Sequence, residues 1–212
     1  MSPADPYLYP GTGVLINKFG VRDRDILDEM EASYTSLRLS DMAENPLSGE
    51  YDCRHLRAMH KYIFCDLYDW AGELRTIDIE KNEAVLGGLS IEYSPHDEIE
   101  KSFGVILDEM KAIEWGDLPC EGQAGKFSNC FSRLWQIHPF REGNTRTVTH
   151  FCCQYADSVN MPINRQLFQK HSEYLRNALV AASAIFSDIG DRSQPGHLYR
   201  IVLDAIKQGQ AH

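Results

Sequence analysis

What most narrows the fold of this chain is the recurrence of apolar residues every three or four positions along most of its length. From Asp23 onward Ile26, Leu27, Met30, Tyr34, Leu37 and Met42 keep this spacing, and the run stops at Asn45-Pro46, where proline cannot continue a helix. Asp52 is placed to cap a second run through Leu56, Met59, Ile63, Phe64 and Leu67, closing near Ala71-Gly72. After Ser94-Pro95 the spacing returns in Ile99, Phe103, Ile106, Leu107, Met110 and Ile113, then in Phe127, Phe131, Leu134 and Ile137. Further helices are expected over roughly 144–158, 164–186 and 195–208. One apolar stripe per helix with short connections implies an all-α bundle in a single domain, 1–212. The period changes once. Arg75-Thr-Ile-Asp-Ile79 and Leu89-Ser-Ile-Glu-Tyr93 alternate apolar with polar residues around a glycine pair, which predicts a β-hairpin over 75–93 as the only one in the chain. The opening stretch, Tyr7 to Gly20, mixes turn residues with aromatics that favour burial, and is expected to be a packed arm.

Charge excludes some partners. Lys and Arg number 21 against 31 Asp and Glu, a formal balance of -10, so the summed field repels a phosphate backbone and nucleic acid is not an expected partner. The longest nearly unbroken apolar stretch, Ala178 to Phe186, is interrupted by Ser183 and falls short of the ~20 residues needed to cross a bilayer. No membrane association is expected. Met1-Ser-Pro-Ala-Asp-Pro6 has neither a basic flank nor an apolar segment, so no secretory leader is expected and the cytoplasm is the expected location. The six cysteines have irregular spacing and are expected as free thiols, and the pair Cys152 and Cys153 lacks the partner spacing of a zinc site. His55 and His60 stand five apart, which puts their rings on different helix faces and makes core or surface positions the default for both.

One break between helices is dense in reactive residue types: His138-Pro-Phe-Arg-Glu-Gly-Asn-Thr-Arg146. Pro139 stops the preceding helix, and Gly143-Asn144 allows a tight turn before a new helix near Thr145. The start of that helix offers unpaired N–H groups and the positive end of the peptide dipoles, a ready anion site, with Arg146 in its first turn. Glu142 supplies a hard carboxylate oxygen suited to magnesium, and His138 has an ordinary pKa near ~6.5, so it can take a proton at neutral pH. Read by spacing alone, the same residues also suit a plain interhelical turn: Asn caps helices and Glu complements their dipoles.

This loop resembles the signature of the Fic family, H-x-F-x-[D/E]-G-N-[G/K]-R-x-x-R. His138, Phe140, Glu142, Gly143, Asn144 and Arg146 stand where the family has them, while Thr145 and Thr149 depart from it. Tyr9-Pro-Gly-Thr, Val14 to Gly20, His55-Leu-Arg-Ala-Met-His60 and Leu67 to Thr76 also look like the family's framework, so the resemblance covers nearly the whole chain. It implies a helical fold with a β-hairpin flap beside the active loop, and transfer of AMP from ATP to a Ser, Thr or Tyr hydroxyl of a target protein. By that pattern His138 is the catalytic base and Glu142 the magnesium ligand. Arg141, Gly143, Asn144, Thr145 and Arg146 bind the nucleotide, and Phe140 anchors the loop in the core. The flap would align a target segment as an added strand.

At Thr149 the family has an arginine that positions the distal phosphates of ATP, and a threonine brings neither its charge nor its planar fork. The alternatives are therefore a Fic-fold enzyme with another phosphate-containing donor, or a protein-binding module that has lost turnover. Ser40-Asp-Met-Ala-Glu44-Asn45 carries the letters of the family's inhibitory motif, but it belongs to the first helix and is expected to be an ordinary helix end before Pro46. A toxin role with a separate small antitoxin as partner is a further expectation from the resemblance.

Overall fold

The computed structural model describes residues 5–211. Met1 to Ala4, which carry much of the expectation about a leader, lie outside the described residues.

Eight helices follow one another among the described residues: α1 (Arg24–Glu44), α2 (Cys53–Phe64), α3 (Ile99–Lys111), α4 (Cys120–Ile137), α5 (Asn144–Ser158), α6 (Arg165–Lys170), α7 (Ser172–Ala182) and α8 (Gly196–Gln210). The expected cap is in place, Asp52 accepting the His55 N–H, and Asp23 likewise accepts the Ile26 N–H, each satisfying a donor that the first turn leaves free. α4 runs through the middle, packed against α3, α5, α7 and α8. Phe103, Phe127, Phe131, Leu134, Trp135 and Phe151 are all fully buried around it, each worth roughly 1.5–3 kcal/mol of burial. No helix among the described residues is long and apolar enough to cross a membrane. All six cysteines are free.

α1 lies at the edge against α2 and buries only Leu27, Thr35 and Met42. Ile26 and Leu37 keep helical spacing yet stand exposed, because a helix packed on one flank hides a narrower stripe than its apolar residues span. α2 closes at Phe64 rather than near Ala71-Gly72, and residues 65–72 continue as turns. The single helix expected over 164–186 is divided at His171 into α6 and α7 and stops at Ala182. The arm is packed as expected. Leu8 pairs with Leu15, and the Lys18 N–H bonds the Leu67 carbonyl.

The hairpin requires a correction. Residues 75–93 form no strand ladder; the one two-stranded antiparallel sheet among the described residues is β1 (Ile185–Phe186) with β2 (Gly190–Asp191), where Ile185 faces Asp191. Segment 75–93 does fold back on itself, with the Glu83 N–H bonding the Leu89 carbonyl at 3.2 Å and the Gly88 N–H the Glu83 carbonyl at 3.0 Å, and its tip packs on α7. Side chains take the ladder's groups instead: Arg75 holds the Ile77 and Ser94 carbonyls, and Ser90 Oγ accepts the Lys81 N–H. Its tip is a 3-10 turn, Ala84–Leu86, closed by Gly87 and Gly88 at positive φ.

Candidate active site

Helix α4 ends on His138, whose φ of 51° and ψ of 59° are left-handed, and Pro139 prevents any return to the helix. The turn carries the imidazole inward, where it is 3% exposed. Tyr93 lies over it with ring centroids 4.3 Å apart, and Trp135 meets it edge-on at 5.4 Å. Neither ring nitrogen has a hydrogen-bond partner among the described residues. Burial, aided by the Lys81 cation, holds the imidazole's pKa well below 6.5. At neutral pH the ring is therefore uncharged and keeps a free lone pair that can accept a proton. A buried polar group left unpaired costs free energy.

The rest of the loop is held firmly. Asn144 accepts the Phe140 N–H at 2.9 Å and donates to the Phe140 carbonyl at 2.7 Å. Phe140 is fully buried, as expected of an anchor, and stacks on His60 with centroids 3.8 Å apart. His60 Nδ1 accepts the Gly72 N–H, so its proton sits on Nε2 and is donated to the Glu142 carbonyl at 3.0 Å. Burial drives the pKa of His60 down to about 3, which keeps this tautomer uncharged. Gly143 has φ 81°, and a Cβ there would stand 2.3 Å from the Phe64 ring. The Thr147 N–H to the Gly143 carbonyl opens α5. The N–H groups of Asn144, Thr145 and Arg146 thus have no intrahelical acceptor, the arrangement that suits an anion.

Glu142 Oε1 accepts the Gly143 N–H at 3.0 Å, and Oε2 pairs with Lys81 Nζ at 3.2 Å. Burial alone would raise this carboxyl's pKa, but Lys81, the Gly143 N–H and Arg146 outweigh it and bring it to about 2. Beside it opens a cavity of about 670 Å³ whose lining includes Glu31, Tyr68, Lys81, Arg141, Glu142 and Arg176. No group of three or more His, Cys, Asp or Glu side chains that could hold a metal occurs among the described residues. One ionised carboxylate nevertheless suits magnesium, which is commonly held by one or two carboxylates together with phosphates and water.

The structure uses some expected residues differently. Arg141 lines the 670 Å³ cavity but is paired with Asp5 of the arm at 2.8 Å. Thr145 Oγ1 accepts the Trp135 Nε1–H at 2.9 Å. Arg146 turns toward α1: it pairs with Glu31 at 2.5 Å, bonds Thr35 Oγ1 at 3.1 Å and lies over the Phe64 ring. Thr149 faces a second cavity of about 220 Å³ with Leu39, Cys153, Phe168 and Leu175, and its hydroxyl is buried without a partner among the described residues. Spacing gave no sign of Glu31, Lys81 or Tyr93, each more than forty residues from the loop, and it treated His60 as an ordinary histidine.

A family model described as the Fic/DOC family matches residues 50–156. "Protein adenylyltransferase VbhT" of Bartonella schoenbuchensis is 32% identical over 168 residues, which are 76% of this chain and 32% of that protein. This chain therefore spans about a third of that relative's length. "Probable protein adenylyltransferase y4lH" of Sinorhizobium fredii is 34% identical over 150 residues, covering 69% of this chain and 72% of the relative. In fold, the chain superposes on the BepC effector protein of Bartonella tribocorum, solved with bound AMPPNP, with a TM-score of 0.75 at 19% identity, covering 94% of this chain and 95% of that one. A matched model over half the chain and a relative aligned over most of its length settle the lineage: the chain belongs to the Fic/DOC family.

Proposed function

We propose that this protein is an adenylyltransferase that moves AMP from ATP to a hydroxyl of a target protein. The observation that carries the reading is the uncharged, unpartnered imidazole of His138 set on the same turn as the free N–H groups of α5. Names of relatives add support, since VbhT and y4lH are both called protein adenylyltransferases, and BepC was solved with an ATP analogue.

In this reading the first-turn N–H groups of Asn144 and Thr145 receive phosphate oxygens, and Arg141 and Arg146 add positive charge. Glu142 would hold a magnesium ion, which neutralises charge on the phosphates; Lys81 must first leave the carboxylate. His138 takes the proton of the target's Ser, Thr or Tyr hydroxyl as that oxygen bonds to the α-phosphorus. The bond from the α-phosphorus to the bridging oxygen breaks, and pyrophosphate leaves. Tyr93 lies over the imidazole, so the flap segment has to shift for the hydroxyl to reach it. The outgoing side of the flap, 77–81, where Asp78 and Glu80 are exposed, is where the target segment would lie.

The test is label transfer. α-Labelled ATP, magnesium and cell extract should label a protein with the wild type, and His138→Ala should reduce this at least ~10²-fold. Absence of label from the wild type, or equal label from the variant, refutes the reading. Thr149 favours a second reading with another phosphate-containing donor, because an uncharged threonine stands where the motif has an arginine, and the cations lining its cavity are Arg146, paired with Glu31, and Arg165, paired with Asp157. Competition by unlabelled nucleotides separates the two. A toxin role predicts growth arrest on expression that His138→Ala relieves.

A further inference from the structure

Arg75 carries a charge whose side chain is wholly buried, and its only carboxylate neighbour, Asp78, is itself mostly exposed. A buried charge is tolerated when every donor is used, and here all five guanidinium N–H groups are. Nε donates to the His138 carbonyl at 2.8 Å. One terminal nitrogen donates to the Ile77 carbonyl at 2.8 Å and to Asp78 Oδ1 at 3.4 Å. The other donates to the Ser94 carbonyl and to the Ile137 carbonyl. The Arg75 backbone N–H adds a bond to the Pro139 carbonyl at 2.9 Å.

These partners belong to three segments: the C-terminus of α4 with His138, the outgoing stem of the flap at 77–78, and the returning stem at Ser94. The last carbonyls of a helix lack intrahelical donors, and a cation there also complements the helix dipole. A non-glycine residue in the left-handed region is uncommon and persists only when its surroundings fix it. Arg75 supplies that fixing from behind, without touching the imidazole.

We propose that Arg75 is a positioning residue that fastens both flap stems to the His138 backbone, so that the stems and the turn bearing the imidazole open as one unit. Lysine cannot replace it: its donors radiate from one nitrogen and do not span three segments. The proposal rests on the adenylyl-transfer reading only for its kinetic readout.

The experiment compares the full chain with Arg75→Lys by NMR and by transfer kinetics. In the variant, the amide protons of Arg75, His96 and His138 are expected to exchange at least tenfold faster, and the His138 13Cα shift should leave its left-handed value. His96 reports on the stems because its N–H bonds Asp78. For transfer, kcat should fall by about 10²-fold with KM for ATP nearly unchanged, the pattern of a lost transition-state alignment. A folded variant with wild-type exchange and an unmoved His138 shift overturns the proposal. If Arg75→Lys does not fold, exchange of the wild type in low denaturant decides: one common opening free energy for the three amides supports the coupling, and separate openings refute it. If the wild type transfers no label, the enzymatic reading fails while exchange and shift still judge Arg75.

Discussion

The loop at 138–146 and the tip of the flap at 79–93 face each other across His138, and they are held in opposite ways. In the loop, main-chain groups are fixed by buried partners: Asn144 on both sides of Phe140, His60 on the Glu142 carbonyl, Arg75 on the His138 carbonyl. The flap tip relies on side-chain ion pairs that each have a partly exposed cation, Lys81 to Glu142 and Arg176 to the buried Glu83, which the Tyr93 hydroxyl also reaches. Buried bonds of the first kind are costly to break, whereas partly exposed ion pairs contribute little and exchange readily. The site thus combines a fixed turn with a cover that can give way.

If that contrast is right, the largest losses come from the loop. Gly143→Ala forces a Cβ onto the Phe64 ring at 2.3 Å and demands φ 81° of an L-residue. A loss of ~2–4 kcal/mol in urea unfolding is expected, with transfer abolished; a variant as stable as wild type would show that the turn is not rigid. Asn144→Ala comes next. It strips the buried N–H and carbonyl of Phe140 of their partner, for a loss of about 2 kcal/mol and a fall in kcat, read by the same unfolding and transfer measurements.

The same contrast explains what was legible in the sequence. The loop could be read because its determinants are local: Pro139, Gly143 and Asn144 act on their own backbone, and helical spacing marks the elements on either side. The start of α5 at Asn144 followed directly, while Phe140 as anchor came from the family resemblance. The flap could not be read in the same way. Alternation in 75–79 and 89–93 suggested strands, but the atoms that would build a ladder are claimed by Arg75 and Ser90 through contacts that leave no period in the sequence. The ion pair of Arg146 was hidden for a related reason. Its counter-ion Glu31 is 115 positions away on α1, and no local pattern announces that pair.

Acid should act on the loop before the flap tip. His60 and His138 are buried and uncharged in the folded chain, with pKa values about 3 and well below 6.5 respectively, while the unfolded chain binds their protons near ~6.5. Below that pH the unfolded state therefore binds more protons. The stability these rings contribute is complete above about pH 6.5 and is lost as pH falls, at ~1.4 kcal/mol per unit for each histidine. Glu142, lowered to about 2, adds a loss of the same sign from about pH 4.5 downward. Urea midpoints measured from pH 7.5 to 4 should fall steadily, and His60→Gln should flatten part of the slope. A midpoint that stays level to pH 4.5 would contradict the buried, uncharged rings.

The smallest effect on stability is expected where the contrast is sharpest. Glu83 is nearly fully buried, accepts from Arg176 at 2.9 Å and from the Tyr93 hydroxyl at 3.3 Å, and so ties the flap tip to α7 and to the ring that covers His138. Glu83→Gln keeps the size and one acceptor oxygen but gives up the charge that holds Arg176, whose side chain is 40% exposed and is readily solvated once released. Unfolding stability should fall by about 1 kcal/mol, because the amide keeps an acceptor for the Tyr93 hydroxyl and the released guanidinium is solvated. Exchange of the Lys81, Glu83 and Leu89 amides should nevertheless accelerate severalfold, while the Phe140 amide, held by Asn144, stays as slow as in the wild type. Acceleration of Phe140 together with the tip would mean that loop and flap tip open as a single body, and the division between a fixed turn and a movable cover would have to be given up.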